Sequence, residues 1–227
     1  MNARSHCVGS RRTLQHTVDA APSSQPSNDR RFQQLLNAAD WATLPAPVRR
    51  RFSRSLADAE TAVFIGDVAS TRITWAGRSF GQLARLFGAP LPLKRIARVP
   101  AAVLVTEDHA SDCQVWTRVY HETGHLPQVI RSVKRFAGPT GLEECVGAGV
   151  GMALTLHVEQ RALIFRSAGY FIRMAGRRWR IPDWLTPGRI EVIHREEREG
   201  RFSFTLTVTH ALFGVIIHQV AFFRDGL

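Results

Sequence analysis

Cysteine is scarce in this chain, lysine is nearly absent, and no apolar run is long enough to span a bilayer. The three cysteines, Cys7, Cys113 and Cys145, lie too far apart for a CxxC metal pattern, and an odd number argues against a disulfide framework. Reduced thiols in a cytoplasmic protein are the expectation. A membrane helix needs roughly 18 or more consecutive apolar residues, and no transmembrane segment is expected. The stretch "MNARSHCVGSRRTLQHTVDAAPSSQPSND" is basic without an apolar centre, so a secretory leader is not expected. Its Ser, Pro and Gln content predicts a disordered tail over residues 1–28, although an over-long gene start would read the same way.

Only Lys94 and Lys134 are lysines, so the net charge of +11 is almost entirely arginine. Residues 1–29 hold three Arg against two Asp, which leaves the excess in the remainder. Arginine suits phosphate and carboxylate contacts, and a field of this sign attracts anionic partners. It is also what a GC-rich genome produces with no function attached. Hydrophobic residues at 44% and a length of 227 suit a single domain, taken here as 29–227.

Order is expected to begin near Asn28 or Asp29, capping one helix through "RRFQQLLNAADW", with a second short helix in "RRRFSRSLA". "AETAVFIGDVASTRITW" reads as strand, and "SFGQLARLF" as a helix stopped by Gly88 and Pro90. Beyond Arg98 the pattern is β almost to the end, in runs such as "VPAAVLVTE", "CQVWTRVYH", "QVIRSVKRF", "GMALTLHVE", "ALIFRSAGYFIRM" and "RFSFTLTVT", separated by turn residues. No helix long enough for a crossover separates them, so the sheet must be antiparallel. The fold class is therefore mainly β with minor α: a curled antiparallel sheet forming a half-barrel or barrel, with short N-terminal helices. In "GRFSFTLTVTHALFG", Phe202, Phe204, Leu206, Val208 and His210 share one face, expected to point inward.

Several motifs invite chemistry that their context does not support. "HETGH", His121 to His125, has the zinc-protease pattern, yet it follows a strand and carries a turn pair, Thr123-Gly124, where a helix is required; no metal site is expected. Gly147, Gly149 and Gly151 have the wrong spacing for a dinucleotide loop and are read as a bend at a barrel corner. In "VWTRVY", Trp116, Arg118 and Tyr120 share a face. If that face is inward, Arg118 needs a partner, and Glu143 or Glu144 is the natural candidate. "RIPDWLTPGR" is read as a proline-bracketed loop with Trp184 at its centre, which packs onto the body of the protein, caps a barrel mouth or dips into a membrane surface. His157, His194, His210 and His218 occupy separate strands.

"RFQQLL", "LPAPVRR", "FGQLARLFGAPLP", "WTR", the "LEE" strand, "IPDWLTP" and "GRFSFTLTVTHALFG" follow one another in an order that resembles the bacterial domain-of-unknown-function family numbered 4166, over residues 31–225. That family occurs alone or behind a reductase-like nucleotide-binding domain, and the resemblance brings no catalytic residue. It marks Trp116, Arg118, Glu143 or Glu144, Trp184 and His210. Two departures stand out: Ala211 follows His210 where the family tends to have proline, and Phe52 stands where a histidine is often seen. If those histidines serve one site, this member has lost half of it.

The leading functional expectation is a non-enzymatic binding domain for a hydrophobic or lipid-like molecule in the sheet interior, with candidate contacts Trp116, Arg118, Tyr120, Glu144, Trp184, Phe202, Phe204 and His210. No cofactor is implied. The alternative is an enzyme, or an accessory domain to a separately encoded reductase, acting on an apolar substrate. It requires His210, His194, Glu144 and Arg118 to converge. Nucleic acid is disfavoured as a partner, and peripheral membrane contact rests on charge alone.

Overall fold

The alternating pattern closes on itself. The computed structural model describes residues 29–57, 60–86, 98–122, 124, 126–198 and 200–226; the expected N-terminal tail and the stop signals Gly88 and Pro90 lie outside them. The strands are β1 (Thr61–Ile73), β2 (Val99–Asp108), β3 (Cys113–Tyr120), β4 (Gln128–Arg135), β5 (Glu143–Gly147), β6 (Val150–Glu159), β7 (Ala162–Met174), β8 (Arg177–Ile181), β9 (Arg189–Glu196), β10 (Arg201–His210) and β11 (Gly214–Asp225). They pair in the order β6-β5-β4-β3-β2-β1-β11-β10-β9-β7, and β7 returns to β6. The result is a closed ten-strand antiparallel barrel. Closure removes the exposed edges that an open sheet would leave.

β7 is long enough to serve three neighbours. Leu163 to Arg166 pair with β9, Tyr170 to Met174 pair with β8, and its other edge runs along β6. β8 therefore stands outside the closed ring as a flap on β7. This corrects the sequence reading, which has no strand between Met174 and Arg189 and begins its loop at Arg180. The strand has no apolar face, because all its residues but Ile181 are exposed, so periodicity gave no signal. The β1–β11 ladder is tight: a side chain at Gly66 would bring its Cβ within 1.9 Å of the Phe222 carbonyl oxygen. Glycine alone permits that approach.

Three short helices close the lower end of the barrel, where β1 begins: α1 (Arg31–Gln34), α2 (Ala38–Thr43) and α3 (Ala46–Phe52). The single helix expected over "RRFQQLLNAADW" is two, because Asn37 takes an extended backbone and its side chain accepts the Asp40 N–H at 2.7 Å, capping a new helix. The second expected helix starts earlier, at Ala46 behind Pro45, and stops at Phe52. Phe32 anchors the plug, packing edge to face on Phe52, Phe136 and Phe165. Arg31 reaches Glu107 and Asp112 at the barrel rim, and Arg51 pairs with Glu196 and Asp225. Asn37→Ala should cost about 1 kcal/mol of stability in urea denaturation, a loss confined to the α1–α2 junction.

At the upper end lie helix α4 (Trp75–Leu86) and the β3–β4, β5–β6, β7–β8 and β10–β11 turns. "HETGH" is the β3–β4 connection, with Gly124 at φ +80°, and its described residues are not helical. Gly147 and Gly149 make the β5–β6 turn together with Ala148, all at positive φ. They reverse the chain rather than bend a strand at a corner, a correction that follows from the short ladder on either side of them.

Candidate functional site

Closing a sheet of this size leaves an interior that side chains must fill or a ligand must occupy. Here two cavities follow one another along the axis. The lower, of about 800 Å³, lies between α3 and the lower parts of the strands, lined among others by Phe52, Leu56, Phe64, Val105, His194 and Phe202. The upper, of about 160 Å³, is enclosed by strands and lined by Val103, Ile130, Met152, Leu154, Ile190 and Leu206 among others. Trp116 and Phe204 line both and meet edge to face with centroids 6.4 Å apart, forming a waist between the chambers.

An ion cluster sits at that waist, on the floor of the upper chamber. Glu144 is buried, with Lys134 Nζ at 3.1 Å from one oxygen and Arg118 Nη2 at 3.5 Å from the other. Arg118 also donates to Ser132 Oγ at 3.0 Å. Lys134 lies 4.5 Å from the centre of the Trp116 ring, a cation–π contact that compensates part of its lost hydration. Register produces this convergence: Trp116 stands opposite Ser132, Gln114 opposite Lys134, and Lys134 opposite Glu144. Burial alone would raise the Glu144 carboxyl, but Lys134 and Arg118 outweigh it and hold the group at about 2. The Lys134 ammonium is lowered, first by burial, with Glu144 opposing the shift. Two basic side chains therefore share one carboxylate.

His194 is the other unusual group. It is fully buried in the wall of the lower cavity, packed on Phe52, Phe202 and Phe204 at centroid distances of 5.2, 4.9 and 4.7 Å. Both ring nitrogens are buried without a hydrogen-bond partner among the described residues. Burial and the nearby Arg51 charge push its pKa down to about 3, so the ring is neutral and offers one donor and one acceptor to whatever enters.

Of the residues singled out in the sequence, Trp116, Arg118, Tyr120, Glu144 and Phe204 meet around the upper chamber. Phe202 faces the lower one. Of the two candidate partners for Arg118, Glu144 holds the inward position. Glu143 points to the other face and pairs with Arg173 and Arg178.

Two candidates are corrected. Trp184 is 74% exposed and lines neither cavity, because Pro182 and Pro187 bracket a short turn that holds it away from the barrel. His210 is buried, but at the upper end against Phe80 and Phe213, where its Nδ1 accepts the Leu212 N–H at 3.1 Å. It shapes the β10–β11 turn. Phe52 lies in the lower plug, roughly 20 Å away by strand rise, so Phe52 and His210 do not mark one shared site. Nor do the four histidines and ions converge: His157 bonds Thr155 and His218 bonds Thr207 on the outer face, while His194 sits below the waist.

Lys134, Ser132 and Gln219 are wall residues that the sequence reading missed. The alternation in "QVIRSVKRF" carried the signal, since Ile130, Ser132 and Lys134 share a face, as Trp116, Arg118 and Tyr120 do on the neighbouring strand.

A family model described as Domain of unknown function (DUF4166) matches residues 44–223. A crystal structure of a mutant of the fluorescent protein UnaG is similar at 13% identity, covering 73% of this chain and 94% of that one, with a TM-score of 0.31. No curated protein matches the chain.

Proposed function

The chain belongs to the DUF4166 family, a domain of unknown function, and we propose that this member is a binding domain for one small amphipathic molecule with an apolar body and a carboxylate-like head. The observation that carries the reading is the charge imbalance at the waist, where Arg118 and Lys134 face the single carboxylate of Glu144. A buried cation that is only partly compensated is costly. A ligand carboxylate would supply the missing negative charge, and a guanidinium, with its fork of N–H donors, binds one readily.

The upper chamber holds roughly five water-sized volumes, room for a head group and a short apolar segment. A longer body continues past Trp116 and Phe204 into the lower cavity, whose size lies within the usual range for small-molecule pockets. Calorimetric titration of delipidated protein with dodecanoate and with dodecanol tests this. Dodecanoate should bind at least about tenfold more tightly, a difference of about 1.4 kcal/mol. Lys134→Met, which leaves Arg118 and Glu144 as a balanced pair, should erase the preference. Failure of dodecanoate to bind the wild-type protein would overturn the reading.

A further inference from the structure

The chain's polar and apolar surfaces are sorted along the barrel axis. Among the described residues, every large apolar side chain left exposed, Ile65 excepted, belongs to the upper end. Leu126, Leu212, Trp184 and Trp75 are 92%, 82%, 74% and 71% exposed. They come from four separate connections, between β3 and β4, β10 and β11, β8 and β9, and at the start of α4. Trp75 and Phe213 touch, with ring centroids 5.3 Å apart. The β8–β9 loop packs against the end of β10, since a Cβ on Gly188 would meet the Thr209 carbonyl at 2.3 Å. The β7–β8 flap adds Met174 and Trp179, both exposed.

The same pole is basic with few acids to balance it. Arg72, Arg78, Arg98, Arg177, Arg180 and Arg189 are exposed at this upper end. In its connecting loops the described acidic residues are Glu122 and Asp183, and Asp183 is paired with Arg180. The lower end is mixed instead, setting the exposed acids Asp108, Asp112, Glu159, Glu197 and Asp225 among exposed arginines such as Arg161, Arg198, Arg201 and Arg224. Isolated apolar residues on a surface are ordinary; a set confined to one pole, rich in tryptophan and interspersed with arginine, is not.

We propose that the upper pole of the barrel docks on an anionic lipid bilayer, with the loop tips entering the headgroup region and the arginines meeting lipid phosphates. Tryptophan, with a large apolar ring and one N–H, is suited to that boundary, and arginine forms paired hydrogen bonds with phosphate. Anionic lipid answers the charge excess, and the loop tips project past the strand ends as wedges, which a bilayer accepts without shape complementarity. The inference goes beyond the ligand reading and stands without it, because it uses no cavity residue.

Co-sedimentation of the full chain with vesicles of 30% phosphatidylglycerol in phosphatidylcholine, against pure phosphatidylcholine, provides the test. Binding should be clear on the anionic vesicles, weaken steeply between low and high salt, and be at least tenfold weaker on the neutral ones. Trp184→Ser with Leu212→Ser should lower anionic-vesicle binding at least tenfold at either salt concentration. Arg177→Gln with Arg180→Gln should flatten the salt dependence. All four positions are exposed, so thermal melting of the variants should match the wild-type protein. The proposal is overturned if the wild-type protein stays in the supernatant with anionic vesicles. It is equally overturned if both double variants bind as the wild-type protein does, if the protein binds DNA and not vesicles, or if the apolar pole is consumed in a dimer that Trp184→Ser with Leu212→Ser dissociates.

Discussion

Glu144→Gln should lower the unfolding free energy by about 3–5 kcal/mol, the range for removing one partner of a buried ion pair. The cost comes less from the lost attraction than from leaving Lys134 buried, with a carboxamide where its counter-ion stood. Adding Lys134→Met to Glu144→Gln removes that orphaned cation and should recover most of the loss, since a well-packed apolar side chain substitutes for a buried ion at little or no cost. Equilibrium urea denaturation of the two variants measures both effects. A loss below about 1 kcal/mol for Glu144→Gln would mean that the pair is effectively solvated, and the charge argument for a carboxylate ligand would fall with it.

Acid should destabilise the protein in two stages, and His194 sets the first. Its pKa is about 3 in the folded chain against 6.5 for the free side chain. The unfolded chain therefore binds the extra proton between those values, and stability falls as pH drops below about 6.5. The slope approaches 1.4 kcal/mol per pH unit, which gives a loss of roughly 2 kcal/mol by pH 5 and up to about 5 by pH 3. Glu144 adds the second stage: its folded value is depressed to about 2 from 4.5, so its contribution is complete above about 4.5 and disappears as pH approaches 2.

Urea midpoints at pH 7.5, 6 and 5 should show the first stage in the wild-type protein. His194→Phe, which replaces the ring with one that suits its neighbours Phe52, Phe202 and Phe204, should remove it. A wild-type protein equally stable at pH 7.5 and pH 5 would contradict the buried, unpartnered state of His194.

The two cases also show where sequence reasoning reached the site and where it stopped. Arg118 was visible because "VWTRVY" alternates and a cation among aromatics demands a partner. Glu144 was visible only as one of two adjacent acids, because alternation assigns opposite faces without saying which is inside. Lys134 follows from the same alternation one strand along, yet it looked like any surface lysine until the β3–β4 ladder placed it beside Gln114. His210 misled in the opposite direction: its place at the end of an apolar face suggested the interior, but the barrel interior ends before it, and the residue caps a turn. β8 was invisible because a strand of exposed arginines has no period.

Local rules fixed the antiparallel character of the chain, the turn positions and the inward face of β10, because period-2 burial and turn chemistry act over a few residues and leave their mark in composition. The closure of β6 onto β7, the meeting of Trp116, Arg118, Lys134 and Glu144 at one waist, and the gathering of apolar and arginine-bearing loops at one pole were decided only by the tertiary structure. These features depend on which strands become neighbours and in what register, relations between residues tens of positions apart that no local pattern encodes.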